Sequence, residues 1–97
     1  MQSIGLGKIS VPTFGTPVPL ASSRTKCHRI MVTYDPADGS GAYIYIKDVN
    51  NNIYAALSIT SAPVTIGGDP GNQLDLSTYK MDASANSKGG IVGYDIE

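Results

Sequence analysis

Apolar residues recur at every second position in short runs along this chain, and clusters of Gly, Pro, Asn and Asp separate the runs. From His28 to Tyr34, the residues His28, Ile30, Val32 and Tyr34 fall on one side of an extended chain and Arg29, Met31 and Thr33 on the other, which is the period of a half-buried strand. Ile30 and Val32 are therefore expected in the core. Ala42 to Asp48 repeats the pattern, with Ile44 and Ile46 directed inward and Tyr43, Tyr45 and Lys47 outward. Further strands are expected through Ile53, Ala55, Leu57 and Ile59, briefly over 63–66, around Leu74 and Leu76, and at Tyr79, Met81 and Ala83. A last strand covers 91–96, where Val92, Tyr94 and Ile96 share a face. A single helical turn can follow Leu76.

The punctuation agrees with this reading. Residues 35–41 (Asp-Pro-Ala-Asp-Gly-Ser-Gly) supply the φ angles that tight turns require, and Asn50, Asn51 and Asn52 tolerate left-handed backbone. Loops are expected over 67–72 and 86–90. Pro17 and Pro19 confine 15–20 to an edge strand or an extended strip. Upstream, Ile4, Leu6, Ile9 and Val11 alternate loosely and then meet Pro12 and Gly15, so residues 1–15 are expected as an extended arm whose apolar side chains need cover. The fold predicted is all-β: a small antiparallel β-sandwich or jelly-roll-like domain over 16–97, with the N-terminal arm before it.

Length sharpens the picture. A domain of 97 residues buries only about 60% of its unfolded surface, so contact area from a partner helps it more than it helps a larger protein. A formal charge of −1 and a pI near 5.6 give no basic face for nucleic acid. The single cysteine, Cys27, leaves no intramolecular disulfide framework and no thiolate zinc site, which suits a reducing cytoplasm. Residues 1–11, interrupted by Gly5, Gly7 and Lys8, read as neither a secretory leader nor a membrane span.

The candidate chemistry is sparse. His28 has Cys27, Ser22 and Ser23 nearby in sequence, but alternation sets Cys27 and His28 on opposite faces and there is no second histidine, so a packing pair is favoured over a dyad. Asp35, Asp38 and Asp48 lack the ordered spacing of a calcium loop, and turn capping accounts for them. The stretch Gly67-Gly68-Asp69-Pro70-Gly71 lacks the Gly-Lys-Ser/Thr ending of a phosphate loop. No catalytic, cofactor-binding or metal-binding residue is assigned, and the chain is read as a non-enzyme. Tyr43 and Tyr45, with Tyr54, form either an aromatic contact stripe or a second buried face. The candidate interface is Ile4, Leu6, Ile9, Val11, Tyr43 and Tyr45.

Four segments carry a resemblance: 15–20 (Gly-Thr-Pro-Val-Pro-Leu), 27–32 (Cys-His-Arg-Ile-Met-Val), 42–48 (Ala-Tyr-Ile-Tyr-Ile-Lys-Asp) and 74–83 (Leu-Asp-Leu-Ser-Thr-Tyr-Lys-Met-Asp-Ala), continued by Gly89-Gly90-Ile91-Val92. Over residues 15–97 the chain resembles small structural proteins of tailed-bacteriophage particles. It departs from them at Lys47, where a glycine is expected, and at 67–72, where a Pro-Gly-Glu-type turn is expected. The resemblance implies a capsid decoration or cement protein on the virion surface, assembled in the bacterial cytoplasm. Its partners would be the major capsid protein and its own copies, as a dimer or trimer, with no nucleic acid, membrane or cofactor involved. A carbohydrate- or receptor-binding module of a phage tail or head fibre is the alternative.

Overall fold

The two-residue period between Arg29 and Tyr34 becomes a strand whose residues alternate between half-buried and fully buried, with Ile30 and Val32 wholly enclosed. The computed structural model describes residues 2–67 and 73–96, and the side chains of 7–67 and 73–95, so most of the expected 67–72 loop lies outside the described residues. Ten strands are described: β1 (Gln2–Val11), β2 (Val18–Pro19), β3 (Lys26–Cys27), β4 (Arg29–Tyr34), β5 (Ile44–Lys47), β6 (Ile53–Leu57), β7 (Val64–Gly67), β8 (Leu74–Asp75), β9 (Lys80–Ala83) and β10 (Lys88–Ile96). Short 3-10 turns follow β4 at Pro36–Asp38 and β8 at Leu76–Thr78, the second where a helical turn was expected.

The chain is an all-β domain. One four-stranded sheet runs β1-β10-β4-β7 and another runs β2-β9-β5-β6, with β3 and β8 as a separate pair. Every pairing is antiparallel. The chain crosses directly between the two larger sheets from β1 to β2, β4 to β5, β6 to β7 and β9 to β10, and by way of β3 and β8 from β2 to β4 and β7 to β9, so both sheets contribute to one apolar cluster. Ile30, Val32, Ile66 and Val92 of the first sheet join Ile44, Ile46, Leu57 and Met81 of the second, and Leu20 and Leu76 close it from the loops. Burying side chains of this size stabilises the fold by about 1.5–3 kcal/mol each, before the cost of ordering the chain.

The expected N-terminal arm is part of the first sheet. Residues 2–11 pair with β10 from Gln2 opposite Ile96 to Val11 opposite Lys88, with a bulge between Gly5 and Gly7. The reason lies in β10. A Cβ on Gly89 would lie 2.2 Å from the Ile9 carbonyl oxygen, so only glycine lets the two backbones approach here. Val11, expected at the interface, is accordingly enclosed in the core of this chain, and Ile9 packs half-buried against it. The side chains of Ile4 and Leu6 lie outside the described residues.

A second correction concerns β6. Strict alternation sends Ile53 inward with Ala55 and Leu57, but the register slips between Ile46 and Lys47: Ile46 opposes Ala55 while Lys47 opposes Ile53. Tyr54 is the extra residue of that bulge, and Ile53 turns to the outward face. Ile59 lies beyond the strand, in the turn closed by the Ser61 amide donating to the Ser58 carbonyl, and is also exposed.

Candidate interaction surface

The surface is built on the outward side of β9, β5 and β6, where cross-strand neighbours place Asp82 beside Tyr45 and Tyr45 beside Ala56, and Lys80 beside Lys47 and Lys47 beside Ile53. Its two ends differ in character. At the β9 end Asp82 is buried although it points away from the core. Its Oδ1 accepts from the Gly15 and Ala83 amides, both at 2.8 Å, and Lys47 Nζ donates to its Oδ2 at 2.8 Å. Burial alone would raise the Asp82 pKa. The Lys47 and amide hydrogen bonds and the Lys47 charge outweigh it and hold the carboxyl below the ordinary aspartate value. The loop that supplies Gly15 thus closes this end of the face.

At the β6 end the face is apolar and open. Ile53 is 59% exposed and Tyr54 55%, and Val49 in the preceding turn is exposed too; Tyr43, 49% exposed, stands apart from them, just before β5 and bonded to Ser84. Tyr45 stands half-buried between the two ends. Of the expected interface residues, the structure therefore brings Tyr43 and Tyr45 to one outward surface and removes Val11 from it. Ile53 and Val49 are exposed beside it and were not expected there, and Tyr54 joins them. The one available signal was Tyr54, which sequence reading had grouped with the tyrosine stripe.

The β5–β6 turn is self-contained. Asp48 Oδ1 accepts from the Asn50 and Asn52 amides at 2.9 and 3.0 Å, and Asn51 adopts a left-handed φ of 63°. The other turn carboxylates are similarly engaged. Asp35 caps the first 3-10 turn through the Ala37 amide at 3.0 Å, and that bond, with Lys8, lowers its pKa. Asp38 accepts from Lys8 Nζ at 2.7 Å and from the Gly89 amide at 2.8 Å, while Lys88 Nζ donates to its carbonyl at 2.5 Å. Asp75 accepts from the Ser77 hydroxyl and amide and from the Thr25 amide, which hold its pKa down.

Cys27 and His28 are both buried, because the chain bends at His28 between β3 and β4 and the simple alternation that separates them fails there. Burial pushes the Cys27 thiol up, away from the thiolate a nucleophile needs. Asp95, fully buried on β10, is bonded by the Arg29 guanidinium beside it on β4, with Nε at 2.7 Å. Among the described residues no three His, Cys, Asp or Glu side chains converge as a metal-binding group would require. Comparison with known protein families, curated proteins and solved structures gives no match.

Proposed function

We propose that this protein is a structural component of a bacteriophage particle, a decoration or cement protein that binds the major capsid protein through the outward face of β5 and β6. The observation that carries the reading is the exposed pair Ile53 and Tyr54 on an edge strand without a charged side chain, with Val49 exposed in the turn before it and Tyr43 exposed just before β5. Soluble domains ordinarily blunt such an edge with Lys, Pro or a covering segment, and a contiguous apolar patch marks a contact surface. Tyrosines serve this purpose well, because each contributes a large area and a polar tip at small entropy cost. The turn carboxylates are spent on capping and ion pairing, which favours binding over acid-base catalysis. The virion setting is supported by the resemblance of residues 15–97 to small phage structural proteins. Many copies on a repeating shell turn a weak single contact into high occupancy.

Co-sedimentation with undecorated capsids of the parent phage tests this. The wild-type protein is expected in the pellet, and Ile53→Lys and Tyr54→Lys in the supernatant with their folds intact. Equal binding by all three removes this face from the proposal, and no binding by the wild type removes the capsid. The exposed tyrosine rings also suit stacking on sugars, so a glycan-binding module is the second reading. Ile53 and Val49 beside them favour a protein partner, and a positive glycan array with no capsid binding would reverse that preference.

A further inference from the structure

We propose that β1 is an exchangeable strand: in a pair of copies, residues 2–11 of each chain seat on β10 of the other, with residues 12–17 as the hinge. The proposal does not depend on the capsid reading, since it concerns only how copies of this chain join.

The described contacts of β1 are reproducible in trans. It lies at the edge of its sheet and its ladder runs to β10 alone. Its remaining polar contacts are Lys8 with Asp35 and Asp38, and the Ser87 amide donating to the Val11 carbonyl at 3.0 Å. Each of these groups stands in the same place in a second copy. Exchange therefore preserves the strand's own interactions, and the balance between one chain and two is decided by the hinge.

The hinge has a closed form held by few and identifiable contacts. The Thr16 amide donates to the Thr13 carbonyl at 3.2 Å, the Phe14 amide to Asn86 Oδ1 at 3.0 Å, the Gly15 amide to Asp82 Oδ1 at 2.8 Å, and the Ser87 amide to the Pro12 carbonyl at 3.3 Å. Gly15 takes a left-handed φ of 81°, and Phe14 is left 58% exposed. Several features pull toward the open form. Pro17 biases Thr16 to extended backbone, Pro12 keeps its own φ compatible with a straight segment, and no residue needs left-handed backbone once the segment is straight. Fully extended, these six residues reach about 20 Å, enough to carry β1 to a neighbour. Two such hinges would pass each other near the two-fold axis, where each Phe14 ring can be covered by the other chain.

Lys8 and Ile91 are directly opposite in the β1–β10 ladder, so cysteines there report which chain supplies β1. The variant Lys8→Cys with Ile91→Cys would be refolded over a range of concentrations, oxidised, and resolved on a denaturing gel without reductant. The expected result is a disulfide-linked dimer whose share rises with refolding concentration and which neither single variant forms. Adding Gly15→Val, which strains only the closed hinge, should raise the ratio of linked dimer to monomer roughly fivefold or more. A link that stays within one chain at every concentration, with and without Gly15→Val, overturns the proposal. So does a dimer seen by analytical ultracentrifugation whose disulfides remain within each chain, because the copies would then be joined elsewhere.

Discussion

β1 and β6 both stand at the edge of a four-stranded sheet, and they manage that position differently. β1 is long and bulged between Gly5 and Gly7, and its Lys8 reaches back to Asp35 and Asp38. Its last residue, Val11, is buried in the core. β6 is half that length and carries Ile-Tyr-Ala-Ala-Leu, with no charged side chain and with Ile53 and Tyr54 turned to solvent. Charge, bulging and twist are the means by which proteins keep an edge from pairing with another chain. β1 has a charge and a bulge; β6 has only the bulge. The difference teaches that β1, which looked like the sticky part of the chain, is paired into a sheet and buries Val11, while the β5–β6 hairpin leaves Val49, Ile53 and Tyr54 in solvent.

The most severe way to break the comparison is Ile44→Asp, because Ile44 is fully buried and pairs with both Leu57 and Ala83. An unpaired charge there costs several kcal/mol, a large part of the stability of a domain this size, and the protein is expected to unfold. Circular dichroism would show it. A soluble variant with an unchanged melting temperature would contradict the register of β5.

Gly89→Val should damage the β1 edge alone. Its Cβ meets the Ile9 carbonyl and the Ser10 backbone, neither of which can yield without parting the strands. A loss of about 2–4 kcal/mol is expected. Hydrogen exchange should show lost protection in β1 with β5 and β6 little changed; uniform loss would mean that β1 and the second sheet open together.

Acid should separate the edges as well. Asp35 and Asp82 have pKa values below the ordinary aspartate value, so the unfolded chain takes up protons first as the pH falls. Their contribution is complete above about pH 4 and is lost as the pH drops through their lowered values. Asp35 sits beside Lys8 of β1, and Asp82 holds Gly15 behind it. Amide protection measured from pH 7 to pH 2.5 is therefore expected to fall earlier in β1 than in β6, and the reverse order would mean these carboxylates do not hold the strand.

The smallest change in stability is expected for Tyr54→Lys. Its side chain is exposed on a bulge, and the melting free energy should stay within about 0.5 kcal/mol of wild type even as capsid binding is lost. A much larger drop would show that Tyr54 supports the fold rather than a contact.

Local sequence determined the all-β character, the inward set Ile30, Val32, Ile44, Ile46 and Val92, and the turns capped by Asp35 and Asp48. Each follows from a two-residue period or from backbone preferences within a few neighbouring positions, which act wherever the strand ends up. The placement of β1 was beyond such reasoning, because it depends on β10, about eighty positions further along the chain from Ile9, offering Gly89 at the point of closest approach. The exposure of Ile53 was hidden for a similar reason. One extra residue in β6 relative to β5 reverses its face, and a bulge is a property of the paired strands rather than of either one. Cys27 and His28 are buried together only because β3 and β8 form a pair apart from the sheet that β4 enters, which forces a bend between them. Periodicity fixes which side of a strand is apolar, but the tertiary structure decides what that side meets, because the partner strand comes from a distant part of the chain.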